Sequence, residues 1–432
     1  MGVTGSLDIL RDADYRRLLL IVASTTLGEF LLESIVYAWI IASTNADGIR
    51  PVLIGLYVLL STLPRIVAGV LVGVVADNSG AKRSIVVANC GRASAALVLG
   101  IGIIPAYDRV AAGAAVLLIL VTVCSTLNQL FLAARAKYVQ QIIAPPLRPA
   151  AASTSMTVLT ALSIGSAAAG PSVFVQVGLV PSLALIMAMF AIGALLSLSI
   201  RSTGPDMTTN PSRQRKVNFF RALITGWRVC WEVSALRAVL LGAVFYGIPM
   251  GINNVALILL WVETKGGTIS QYGLASALFG LGALCGSLLA PKLIVRWRMV
   301  RIYVFSLSML GVSYVALAIT PDLIASFALM GISGGIFSIF AVVQSPMVLN
   351  SAPTEMTGRI ASTTNSASAL SALVSSMLAS AFFAIPGSGS VIVPSAVALG
   401  GLSTIIGGAL LASGHRREAG LDKKVSAASP DK

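Results

Sequence analysis

The sequence predicts an all-α polytopic membrane protein with twelve transmembrane helices in two six-helix halves. Three observations carry that expectation. First, of 432 residues, 56% are hydrophobic and 11% are charged, with a mean hydropathy of +0.90; an ordinary soluble domain has roughly a quarter of its residues charged. Second, the apolar residues gather in runs long enough to cross a bilayer as helices. Third, the cations between those runs are strongly biased to alternate loops.

In chain order the runs fall at 18–43, 52–76, 84–105, 110–132, 152–177 and 179–200, then at 237–262, 268–290, 300–320, 323–345, 360–385 and 391–412. Residues 1–200 make the N-terminal half, 201–236 a cytoplasmic linker, 237–412 the C-terminal half and 413–432 a cytoplasmic tail. The halves echo one another weakly. Gly69-xxx-Gly73 at the end of the second run recurs as Gly282-xxx-Gly286 at the end of the eighth. Trp39 and Trp261 close the first and seventh runs, where an indole can sit at the membrane interface. Ala152-Ser153-Thr154 opens the fifth run and Ala361-Ser362-Thr363 the eleventh. Glycines four apart let helices approach closely. Within the linker, 201–216 reads as a solvated loop rich in Ser, Thr, Pro and Arg. Residues 217–233 repeat their apolar side chains at helical spacing, which predicts a surface-lying amphipathic helix.

The balance of 30 Lys+Arg against 16 Asp+Glu would suit a nucleic-acid partner if the cations formed a patch. Instead 25 of them lie on one side of the predicted topology, and only Arg50, Arg109 and Lys265 on the other. This is the positive-inside bias; it excludes a nucleic-acid surface and predicts cytoplasmic termini in a cell membrane. Cys90, Cys124, Cys230 and Cys285 are scattered without metal or redox spacing, and His415 is the only histidine. No metal, cofactor or catalytic cluster is expected, so the chain does not read as an enzyme. The first run is too long for the apolar core of a cleavable signal.

The densest motif is Gly73-Val-Val-Ala-Asp77-Asn-Ser-Gly80-Ala-Lys82-Arg83-Ser-Ile85, between the second and third runs. A stop signal with positive-inside residues accounts for Lys82 and Arg83 but not for Asp77 or the glycines. A carboxylate at that point can meet the positive N-terminus of another helix and hold basic side chains. The spacing, Gly, three residues, Asp, two residues, Gly and then basic residues, resembles the signature loop of the major facilitator superfamily. The resemblance implies that superfamily's fold, and a cytoplasmic gate of Gly73, Asp77, Gly80, Lys82, Arg83 and Arg92, with its partner at the start of the eleventh helix, Gly358-Arg359. The approach Arg11-Asp-Ala-Asp-Tyr15-Arg-Arg-Leu-Leu, Gly28-Glu29, Ala133-Ala-Arg135 through Pro145, and Pro353-xxxx-Gly358-Arg359 resemble the third drug-exporter group, which includes macrolide and enterobactin exporters. Gly170-Pro171 resembles the antiporter motif of drug exporters, with Phe174 and Val175 where further glycines are usual. Pro171 frees a backbone carbonyl, and the pair serves either as hinge or as packing.

Four ionisable residues lie inside predicted spans: Glu29, Glu33, Arg65 and Arg92. At about 1.5 Å per residue from Leu18, Glu29 comes near mid-bilayer with Glu33 one turn further out. Facing lipid, each ion would cost several kcal/mol, so all four are expected inside the bundle. Glu29 is the expected proton-coupling residue with Arg65 its partner, and Glu33 is a second candidate; the other reading is a fixed structural ion pair. Arg92 is expected nearer the cytoplasmic end, in the gate network or a structural pair. Asn128, Gln129, Asn253, Asn254, Gln344 and Asn365 either line a substrate cavity or bond helix to helix. Together these readings predict an exporter of small amphipathic compounds, driven by proton antiport. The other reading is a transporter of a defined metabolite or siderophore. The expected partners are a small-molecule substrate, protons and the lipid bilayer.

Overall fold

A computed structural model of the chain describes residues 12–44, 49–103, 109–144, 147–200, 227–351, 357–385 and 391–427. Twelve long helices order these residues: α1 Ala13–Ser43, α2 Ile49–Ser79, α3 Ala81–Gly102, α4 Val110–Ile142, α5 Arg148–Val177, α6 Leu179–Leu198, α7 Ser234–Leu259, α8 Ile269–Arg296, α9 Met299–Ile319, α10 Leu323–Ser351, α11 Thr357–Phe383 and α12 Ile392–Ala427. Among the described residues, ten helices carry a stretch long and apolar enough to cross a membrane; α2 and α5 contribute the shorter apolar stretches Ile49–Pro64 and Ala161–Val177.

Several helices run past the apolar stretches that announce them. α4 and α10 continue into polar sequence, and α12 continues from the expected tail boundary to Ala427. Hydropathy marks the hydrocarbon-spanning part, whereas the backbone ladder continues until a cap or breaker stops it. α1 starts early because Asp12 caps it, accepting from the backbone N–H of Asp14 at 2.8 Å and of Tyr15 at 3.0 Å. Tyr15 is fully buried, and its hydroxyl donates to the Ala151 carbonyl at 2.8 Å, tying the start of α1 to α5. The Asp-Ala-Asp-Tyr approach is thus architectural.

The chain divides into two compact units, Met1–Arg215 with Thr268–Ala277, and Lys216–Gly267 with Leu278–Lys432. In the first unit α1 packs on α5 and α6, α4 on α2 and α3, and α3 on α6. In the second, α7 packs on α11 and α12, and α9 on α10 and α12. α8 meets α10 through glycines, since a Cβ on Gly282 or Gly286 would overlap the carbonyls of Gly331 and Gly335. The neighbour schemes match helix for helix when six is added to each number, so the faint sequence echo reflects a repeated packing plan.

The Gly73–Ile85 segment is tighter than a loop. α2 runs through Asp77 to Ser79, Gly80 alone makes the turn, and α3 begins at Ala81. Gly80 adopts φ 75°, ψ 141°, a region essentially restricted to glycine. No atom would crowd a Cβ there, so the requirement is conformational. Gly80→Ala is expected to destabilise the protein by roughly 1–3 kcal/mol, read as a lowered midpoint in thermal unfolding of the purified protein.

Two of the three predicted outer-side cations, Arg50 and Lys265, have local work. Arg50 donates to the carbonyls of Ile41 and Thr44 at the end of α1, the former at 3.1 Å. Lys265 donates to the carbonyls of Leu317, at 3.0 Å, and Thr320 at the end of α9. Cations there complement the negative helix terminus and satisfy its orphan carbonyls. Burial holds the Lys265 ammonium below the ordinary lysine value, with Asp322 opposing that shift. Trp39 and Trp261 are packed against protein and not turned outward as interfacial anchors: they are 3% and 1% exposed. A π turn, Leu260–Thr264, ends α7 and sets Trp261 against Phe327 at 5.0 Å between rings. Of the expected amphipathic helix, 227–232 is described and helical, with Trp227 and Trp231 exposed and Cys230 buried in the second unit's core.

Candidate functional site

Among the described residues, Arg92 is the only charged side chain in the buried class. It lies in the middle of the 22-residue α3, not near one end as the apolar run suggested. α3 is flanked by α4 and α6, and a long side chain projecting between them meets both. Its Nη2 donates to Asn89 Oδ1 at 2.5 Å, one turn back on the same helix, and its Nη1 to Asn128 Oδ1 of α4 at 3.4 Å. The guanidinium carbon lies 4.9 Å from the ring centre of Phe131 and 5.6 Å from that of Phe190. Nη1 is also 3.9 Å from Glu29 Oε2 on α1.

Each contact offsets part of the cost of burying a cation. Hydrogen bonds to a charged group contribute about 1.5–3 kcal/mol, and a desolvated cation–π contact contributes about 2 kcal/mol. The ion pair is long and unequal: the Arg92 side chain is 1% exposed and that of Glu29 12%. α1 and α3 do not pack closely on one another; both pack on α6, and the two side chains reach across. One partner is therefore sealed and the other only partly covered. Among the described residues, Arg92 Nε has no hydrogen-bond partner.

Glu29 meets Arg92. The expected pairing of Glu29 with Arg65 falls outside the described residues, because the Arg65 side chain lies outside them, as do those of Gly73 to Ser79 and Arg359. The expected contact between Asp77 and the start of α11 therefore falls outside them. Gly80, Lys82 and Arg83 are described: Lys82 is half-buried and Arg83 exposed in the first turn of α3. Helix dipoles disfavour cations in that position, so their placement follows charge topology, not helix stability. Glu33 is half-buried one turn beyond Glu29.

α1 is seated by glycine. A Cβ on Gly170 of α5 would lie 2.6 Å from Ser34 Cβ, and one on Gly28 3.0 Å from Phe190 Cε1. A Cβ on Gly193 of α6 would overlap the Thr25 methyl. Gly170 and Pro171 are both buried within a continuous α5, so close packing is the role that the geometry displays for Gly170. Phe190 does double duty, resting on Gly28 and presenting its face to Arg92.

The other polar candidates are dispersed. Gln129 and Gln344 are half-buried, and Asn254 and Asn365 exposed. Asn253 of α7 is 6% exposed, and the Tyr314 hydroxyl is directed at it. Neither Asn253 amide atom completes a hydrogen bond of good geometry. Near it runs a row of rings that sequence reading passed over. Phe279 stacks on Phe337 (5.7 Å), Phe337 on Tyr246 (5.4 Å), Tyr246 lies against Phe340 (5.3 Å), and Phe340 stacks on Tyr303 (4.6 Å). Asn89, Phe131 and Phe190 were likewise missed. The Asn89-xx-Arg92 spacing, which puts an amide and a guanidinium on one helix face, was the available signal.

A family profile matches residues 18–376, most of the chain, and its description is Major Facilitator Superfamily. The chain belongs to the major facilitator superfamily. A search of the curated proteins finds no significant match. Among solved structures, the nucleoside transporter NupG superposes with a TM-score of 0.68 at 12% identity, covering 94% of this chain and 99% of that one. The D-xylose–proton symporter gives 0.68 at 12%, covering 95% and 97%. A bacterial metal transporter gives 0.65 at 15%, covering 94% and 99%. At such identities the likeness concerns the fold alone. This major facilitator protein is thus a multi-helix membrane transporter by family.

Proposed function

We propose that this major facilitator transporter is a proton-antiporting exporter of small amphipathic compounds in the bacterial cell membrane, with both termini cytoplasmic. Glu29 is its proton-exchanging group and Arg92 its internal partner. One observation carries the reading: a sealed arginine faces a partly exposed carboxylate in the middle of apolar helices. Arg does not release its proton in proteins. Any proton taken up by the pair must therefore bind Glu29, and doing so breaks the attraction to Arg92. Asn89, Asn128 and the two rings then hold the guanidinium while α1 is released. A group whose protonation uncouples two helices is what alternating access requires of a coupling site. In the same proposal Asp77, Lys82, Arg83 and Arg359 form the cytoplasmic gate, and the Gly170-Pro171 segment transmits bending of α5 to α1. The second unit's aromatic row and Asn253 suit an apolar cargo with one polar group.

The unpartnered Arg92 Nε supports a second reading, a carrier of a defined anionic metabolite or siderophore that competes with Glu29. The solved neighbours serve nucleosides, a sugar and a metal, so fold does not choose the cargo. Purified protein in liposomes with an imposed pH gradient separates the readings. The expected result is gradient-driven movement of a lipophilic cationic dye that Glu29→Gln abolishes while dye binding persists. Dye flux unaffected by Glu29→Gln would refute the coupling role. Gradient-independent exchange of anions with no dye movement would favour the second reading.

A further inference from the structure

The second unit carries a groove of about 980 Å³ that the transport proposal does not use. It follows α9, with walls from α10 and α12. At one end stand Trp297, Arg298 and Arg301; further along come Phe305 and Met309. Ile336 and Ile339 line the α10 side and Ile405 and Ala409 the α12 side. No lining residue is acidic, and neither arginine makes an ion pair among the described residues. Both arginines are exposed, and Phe305 is 64% exposed, so the groove opens outward and not into the unit's core. Ser308 spends its donor on the Val304 carbonyl at 3.1 Å, leaving the wall beneath the arginines apolar in character.

The dimensions identify the occupant. Val300 to Met309 spans about 14 Å at 1.5 Å per residue, roughly half the ~30 Å hydrocarbon core. A cationic rim above an apolar trough one leaflet deep matches a phospholipid in both charge and length. An indole beside the rim suits headgroup level. We propose that this groove binds an anionic phospholipid of the leaflet on the Arg298 side, its phosphate between Arg298 and Arg301 and its acyl chains along Phe305 and Met309. Basic pockets between transmembrane helices hold anionic headgroups by this combination of charge and burial. Two arginines near an anionic headgroup give a preference on the order of tenfold over a zwitterionic lipid.

Trp297 supplies the reporter. Full-length protein is reconstituted in phosphatidylcholine vesicles containing a minor, equal mole fraction of dibrominated phosphatidylglycerol or dibrominated phosphatidylcholine. The Trp297 signal is taken as wild type minus Trp297→Phe. The expected result is much stronger quenching by the brominated phosphatidylglycerol. Arg298→Gln with Arg301→Gln should level the two lipids, and Ala409→Phe, which fills the trough from an exposed position, should reduce quenching by both. Equal quenching of the wild type by both lipids would overturn the proposal, leaving an ordinary annular surface. So would a preference that survives the double arginine change. Quenching by neither lipid, with Phe305→Cys cross-linking two chains, would assign the groove to a second copy instead.

Discussion

Replacing Arg92 by leucine should abolish transport and destabilise the purified protein by about 3–5 kcal/mol, the usual consequence of removing one partner of a buried ion pair. Leucine deletes the hydrogen bonds to Asn89 and Asn128 and the two ring contacts, and it removes the cation 3.9 Å from Glu29. The effect belongs to the pair more than to either residue. Adding Glu29→Gln to Arg92→Leu should therefore recover part of the lost stability, because a neutral amide beside a leucine carries no uncompensated charge. Thermal unfolding of the four proteins of the cycle measures this, and transport stays absent in every variant that lacks Arg92. Additive destabilisation in the double variant would mean that the two side chains do not interact at 3.9 Å in the membrane.

Gly251→Val is expected to produce the second large effect. A Cβ at Gly251 would overlap the Ala372 carbonyl and the Ser375 hydroxyl of α11. One turn earlier, a Cβ at Gly247 would lie 2.5 Å from the Ser368 carbonyl. The obstacle is backbone, so no rotamer change relieves it and α7 must move away from α11. The Ser371 hydroxyl, which donates to the Val244 carbonyl at 2.9 Å, would lose its partner in that movement. Overpacking of this kind costs about 1–3 kcal/mol, and more when backbone must shift. Gly251→Val belongs at or above the top of that range, visible as a loss of monodisperse protein after extraction and a lowered unfolding temperature. Gly100→Ala is the control. Nothing lies within 4 Å of a Cβ there, so it should be neutral or stabilise by up to about 1 kcal/mol through helix propensity. If both substitutions behave alike, close helix approach is not what Gly251 supplies.

The helical architecture was legible because membrane insertion acts on residues largely one at a time. A run of apolar side chains lowers the transfer free energy wherever its neighbours lie, and cations stay out of the hydrocarbon for the same reason. The helix ends were less legible. α1 begins at Asp12's cap, and α12 continues to Ala427, because backbone bonding continues beyond the apolar stretch. Trp261 illustrates a harder limit. Its position at the end of a run suggested an interfacial indole, but the π turn of Leu260–Thr264 rotates it onto Phe327.

By itself the sequence determined the membrane-spanning helical class, the repeated six-helix plan and the presence of ions within the spans, including Glu29 and Arg92. It also marked Gly80 as part of the Gly73–Ile85 motif and Gly282-xxx-Gly286 as a contact surface. Only the tertiary structure decided which ions meet. Successive residues on a helix diverge by about 100°, so the partner of Glu29 depends on how α1, α3 and α6 are rotated and packed. That rotation is set by many small contacts, such as Phe190 on Gly28 and Ser34 against Gly170, none of which announces itself in the order of residues. The physical reason is that hydrophobic transfer sums over single residues, whereas a buried ion pair is a property of two side chains brought together by packing.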